Sequence, residues 1–121
     1  MEYISYEVVS SKLAEGVSYT IAKMSFGRRM ELTRRIRELA GKREFLEAGD
    51  APQEKMDAAL LGSEINRLYL LWGLKEVSGL ELDGQPATPE SLAASGPEDL
   101  FREALAAVKQ QCGLSEDERK N

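Results

Sequence analysis

Residues 60–74, reading LLGSEINRLYLLWGL, decide the fold. At helical pitch they carry two apolar stripes. Leu61, Ile65, Leu68 and Trp72 fall on one side; Leu60, Leu71 and Leu74, continued upstream by Met56, fall roughly opposite. A helix with one apolar stripe lies on a surface, whereas a helix with two is enclosed between layers or between its own core and a partner. One stripe can be satisfied by a preceding helix and a small sheet. The other needs a carboxyl-terminal helix or a second molecule.

Upstream, Asp50 is read as the start of this helix, with Pro52 in the first turn, where its missing N–H costs nothing, and Gln53 three residues on. A first helix occupies 26–48, capped by the Ser25 hydroxyl and stopped by Gly49 in the left-handed conformation that ends helices. Leu32, Ile36, Leu39 and Leu46 share its apolar face, with Phe26 and Met30 to one side. So short a connection predicts an antiparallel helix pair. Further upstream, YISYEVV (3–9) and VSYTIAKM (17–24) are rich in aromatic and β-branched residues and read as a β-hairpin turned at Gly16, with Val17, Tyr19, Ile21 and Lys23 pointing one way.

Downstream, KEVSGLEL (75–82) reads as one short strand ended by the turn pair Asp83-Gly84. Thr88 caps a short helix with Pro89 in its first position, and Ser95-Gly96-Pro97 breaks it. A last helix over about 97–111 presents Leu100, Phe101, Leu105 and Val108, and Gly113 closes it. The prediction is an α+β, mostly helical single domain over 1–113. An amino-terminal β-hairpin and one short strand form a small antiparallel sheet, packed against the helix pair and the carboxyl-terminal helix. Residues 114–121 form a charged tail, in which Ser115-Glu116-Asp117-Glu118 has capping-box form.

At 121 residues, 42% hydrophobic and 31% charged, the chain suits a globular domain with a core of its own. Its net charge of −5 does not draw nucleic acid or an anionic membrane as a whole. The charge is uneven: residues 23–43 hold eight Lys/Arg and two acids, residues 76–121 ten acids and four Lys/Arg. The basic helix could therefore meet the acidic carboxyl-terminal segment, within one chain or between copies. No run of about 18 apolar residues exists to span a membrane. The start MEYISYEVVSS lacks the basic and apolar regions of a signal peptide, so a cytoplasmic protein is expected.

The chain has no histidine, and its single cysteine, Cys112, reads as a small residue near a helix end. Without histidine a zinc site has almost no ligands and a thiol has no usual base. The carboxylates form no convincing acid–base pair, and the glycines form no phosphate loop. No catalytic residue, metal or cofactor is assigned, and the chain is read as a non-enzyme. Two surfaces are candidates. Leu61, Ile65, Leu68, Tyr69 and Trp72 could form a protein-interaction face, because aromatic anchors dominate binding energetics. Arg28, Arg29, Arg34 and Arg35 form a candidate basic patch. The spacing of Glu31 to Arg35 and Glu38 to Lys42 favours ion pairs within a solvated helix over phosphate binding.

From Trp72 the chain reads W-G-L-K-E-V-S-G-L-E-L-D-G-Q-P-A-T-P-E-S-L; a helix with Leu100 and Phe101 follows, and the end is L-S-E-D-E-R-K-N. This resembles the small tail assembly proteins of tailed bacteriophages and prophages, over about half the chain, residues 60–121. The resemblance implies a non-enzymatic role in tail morphogenesis, in the bacterial host cytoplasm. Tail assembly chaperones of this kind coat the long, apolar tape measure protein and help recruit tail tube subunits. Such a protein needs exposed apolar grooves, often in several copies, and homo-oligomerisation is compatible with that. The alternative is a structural virion component, a tail-completion or head–tail connector subunit. A third reading, from another class, is a small nucleic-acid-binding regulator using the basic patch.

Overall fold

The computed structural model describes residues 1–113. It has the expected α+β architecture: four helices, a three-stranded antiparallel sheet and a two-stranded sheet among the described residues. Where the sequence suggests one domain over 1–113, these residues divide into two compact units. One is Met1–Met24 together with residues 69–113; the other is Ser25–Leu68.

In the first unit, β1 (Tyr6–Ser10) and β2 (Ser18–Ala22) form the predicted hairpin, and β3 (Leu74–Ser78) adds to the other side of β2, giving the order β1-β2-β3. The register pairs Val9 with Tyr19 and Tyr19 with Val77, so these three share a face. Val17, Tyr19 and Ile21 alternate inward and are buried, as their spacing predicts. Two helices, α3 (Pro89–Ser95) and α4 (Glu98–Gln111), cover this unit, α4 on β2 and β3, α3 on β3 and α4. Leu92, Leu100, Ala104, Leu105 and Val108 are buried there.

The caps form as read. The Thr88 hydroxyl accepts from the Ser91 N–H while the Ser91 hydroxyl accepts from the Thr88 N–H, a reciprocal box. Gly113, at φ +81°, closes α4 after the buried Cys112.

The segment 75–82 differs from its reading as one strand. β3 ends at Ser78, and Glu81–Leu82 (β4) pairs instead with Gln85–Pro86 (β5) about Asp83-Gly84. Both turn residues have positive φ, 53° and 82°, which matches the twist of a two-residue hairpin. The break falls at Gly79. Its φ is +80°, and an added Cβ would lie 2.0 Å from the Gly16 carbonyl oxygen, so a left-handed residue without a side chain lets two turns touch.

The second unit holds α1 (Phe26–Glu47) and most of α2 (Pro52–Gly73), joined by residues 48–51. The Ser25 hydroxyl caps α1, accepting from the Arg28 N–H at 3.2 Å. The helix ends at Glu47 with Ala48 right-handed, and Gly49 does not take the left-handed stop assigned to it. The Glu54 side chain fills the space where a Gly49 Cβ would stand, so this glycine serves close approach rather than backbone twist. Nor does α2 start at Asp50: it begins at Pro52, and the Ala51 carbonyl accepts from the Lys55 N–H. The Arg43 guanidinium approaches to 3.2 Å of a Gly62 Cβ position, so the two helices return alongside each other. The tail and its capping-box sequence lie outside the described residues.

Candidate functional site

In the helical unit, α1 has two dissimilar faces. Leu32 is buried, and Ile36, Leu39 and Leu46 beside it are half-buried. The opposite face carries Phe26 and Phe45, 82% and 77% exposed, with Met30 also exposed. Helical spacing sets Phe26, Met30, Thr33, Arg34 and Arg37 along one side, and together with Arg29 they line a shallow groove. A second shallow depression over Gly41, Lys42, Phe45 and Leu46 follows one turn further on. On α2, Met56 and Leu60 are exposed as well. Large apolar side chains left in water cost free energy that burial against a partner would recover, and a row of them is the ordinary signature of a docking face.

The charges along α1 divide into two sets. Glu31 pairs with Arg35 at 3.1 Å, Glu38 with Lys42 at 4.0 Å and Glu47 with Arg43 at 2.9 Å. Those pairs neutralise most of the helix's acids. Arg34 and Arg37, which line the groove, have no ion-pair partner among the described residues. The predicted basic patch is therefore not one surface. Arg29 and Arg34 lie along the apolar groove, Arg35 is paired to Glu31, and Arg28, seven residues before Arg35, is half-buried on the same side as it.

The predicted interaction stripe is distributed differently from its reading. Leu61, Ile65 and Leu68 are each half-buried within the helical unit. Tyr69 and Trp72 belong to the sheet unit and are half-buried there, beside the fully buried Leu70. The Lys109 ammonium lies 5.2 Å from the Tyr69 ring centroid. Burial, with the Cys112 thiol adding to it, pushes the Tyr69 phenol above its ordinary pKa. The opposite stripe splits: Met56 and Leu60 are exposed, Leu74 is buried. The α4 helix helps enclose this end, because a Cβ on Gly73 would stand 2.4 Å from a Val108 methyl.

The sheet unit also contains a polar cluster with no signal in local sequence. The Glu103 carboxylate on α4 accepts from the Ser11 hydroxyl (2.5 Å), the Lys12 N–H (2.8 Å) and the Tyr19 hydroxyl (2.8 Å). Ser11 Oγ in turn accepts from the Leu13 and Ala14 N–H groups. Burial alone would raise the Glu103 pKa, but the bonds from Ser11, Lys12 and Tyr19 outweigh it and lower it. Burial, then the bond to Glu103, pushes Tyr19 up to about 12. The arrangement ties the β1–β2 turn to α4. Bonds that reach from α4 to both the turn and β2 act as a clamp.

No group of three or more His, Cys, Asp or Glu residues able to hold a metal occurs among the described residues, and no described helix is long and apolar enough to cross a membrane. Comparison with family models, with curated proteins and with solved structures returned no match.

Proposed function

We propose that this chain is a non-enzymatic protein-binding component of tail morphogenesis in a tailed bacteriophage or prophage, a tail assembly chaperone for the tape measure protein. The observation that carries the reading is the solvent-facing row of Phe26, Met30 and Phe45 on α1. The tail-specific part of it rests on the resemblance over residues 60–121. Phe26 and Met30, one helical turn apart, with Phe45 further along the same side, accept the apolar stripe of a second helix, the usual way an amphipathic segment is gripped. Arg34 and Arg37 beside the row set its register through charge. In this reading the groove on α1 is the binding face, and the half-buried residues from Leu61 to Trp72 are not part of it. Co-expression with the tape measure protein tests the proposal. The expected result is a rise in its soluble fraction that Phe26→Ser/Phe45→Ser abolishes. A tape measure protein no more soluble with the wild-type chain than without it would refute the proposal.

A further inference from the structure

We propose that two copies of this chain pair edge to edge through β1, antiparallel and about a two-fold axis at Val8, to make one continuous six-stranded sheet. The inference concerns the sheet unit and is independent of the groove on α1.

The backbone decides which groups are on offer. Lys23 N–H bonds to the Ser5 carbonyl and Ser11 N–H to the Val17 carbonyl, and the register is unbroken between them. Hydrogen-bonded pairs alternate along an antiparallel ladder, so Ser5, Glu7, Val9 and Ser11 face β2. Tyr6, Val8 and Ser10 therefore aim their N–H and C=O groups at the open edge, where β1 has no neighbouring strand among the described residues. The side chains of Tyr6 and Val8 are exposed too, Val8 at 57%.

An open edge of this kind is a template for another strand, and proteins that avoid pairing guard it with proline, lysine or a bulge. Tyr6–Ser10, YEVVS, has none of these: it holds no proline or lysine, and the sheet's register shift lies between β2 and β3. Its one charge, Glu7, lies on the other face, where the Gln111 amide donates to it.

The occupant follows from self-complementarity. About Val8, each residue opposes the one whose number sums with its own to twice eight. Val8 then meets Val8, Tyr6 meets Ser10 and Glu7 meets Val9 of the second copy, so no charge meets its own image. Each of the Val8–Val8, Tyr6–Ser10 and Ser10–Tyr6 pairs exchanges two main-chain bonds.

The test is sedimentation of the full chain over a range of concentrations, combined with amide exchange. A dimer is expected, in which the Tyr6, Val8 and Ser10 amides exchange slowly and lose that protection on dilution. The Glu7 and Val9 amides should stay protected throughout. Val8→Lys and Val8→Glu each put like charges face to face across the axis, and each should weaken dimerisation by about tenfold or more. Mixing the two variants should restore a dimer. A chain that stays monomeric at its highest soluble concentration overturns the proposal. So does a dimer that Val8→Lys leaves intact, or one that forms while the Tyr6, Val8 and Ser10 amides keep exchanging freely. The wild-type exchange pattern needs no variant and decides the matter even if a substitution disturbs folding.

Discussion

Glu103 offers the sharpest test of how the sheet unit is held together. Its carboxylate, half-buried on α4, collects bonds from Ser11, Lys12 and Tyr19, which lie 84 to 92 positions away in sequence. A hydrogen bond to a charged group contributes about 1.5–3 kcal/mol, and bonds sharing one carboxylate do not add in full, so Glu103→Ala should cost about 2–4 kcal/mol. On a domain of this size that lowers Tm by roughly 10–20 °C. Glu103→Gln keeps the shape but sets an NH2 group against the Lys12 N–H, and should lose about half as much. The pH dependence separates charge from shape. The folded-state pKa of Glu103 lies below its ordinary 4.5, so the stability it contributes is complete above 4.5 and lost as pH falls through the lowered value. The gap between wild type and Glu103→Gln, read by urea unfolding, should thus be constant near neutrality and close in acid. At the alkaline end, Tyr19 keeps its proton to about 12, so stability should fall as pH climbs from 10 to 12. A Glu103→Ala loss below about 0.5 kcal/mol, or a Glu103→Gln gap unchanged into acid, would refute the clamp.

Two further pairs of substitutions separate effects that look alike in the sequence. Gly79 and Gly84 have nearly the same left-handed φ, +80° and +82°, but an added Cβ meets the Gly16 carbonyl at the first and open space at the second. Gly84→Ala should cost about 1 kcal/mol for backbone strain and Gly79→Ala more than about 2 kcal/mol, both read as shifts in the urea midpoint. Leu60 and Leu70 lie in one helix, 64% and 0% exposed. Leu70→Ala should cost about 2–5 kcal/mol and Leu60→Ala less than about 0.5 kcal/mol in thermal unfolding.

What the sequence made legible was local chemistry. The Ser25 and Thr88 caps, the Glu31–Arg35 and Glu38–Lys42 pairs and the inward alternation of Val17, Tyr19 and Ile21 each depend on residues a few positions apart. The misreadings came where distant chain supplied the constraint. Gly49 looked like a stop, but the Glu54 side chain determines what fits there. The segment 75–82 looked like one strand because nothing in its own residues reveals that Gly79 must pass against Gly16. For the candidate site, Phe26 and Met30 read only as lying to one side of the apolar face of α1, and no periodicity tells whether such a pair faces a core or water. Phe45 gave no signal, because its partners on that face are Gly41 and Lys42 rather than other apolar residues.

The stretch 60–74 itself resolves into two halves with different physics. Its opposite stripe is one pattern in sequence, but Leu60 is left in water and Leu74 is buried among the elements around β3. Residues 52–68 of α2 thus belong to a unit with exposed apolar side chains, and residues 69–73 to a unit closed by α4. The two proposed surfaces follow the same division: the groove is on α1 in one unit, the open strand β1 in the other. In that reading an edge-paired dimer carries the groove twice. A long partner with repeated apolar stripes would then be held at two points, and binding would tighten through effective concentration without any new contact. The two contributions come apart by mutation. Val8→Lys should leave one-site binding intact and remove the gain from pairing, while Phe26→Ser/Phe45→Ser should leave the dimer intact and remove the site.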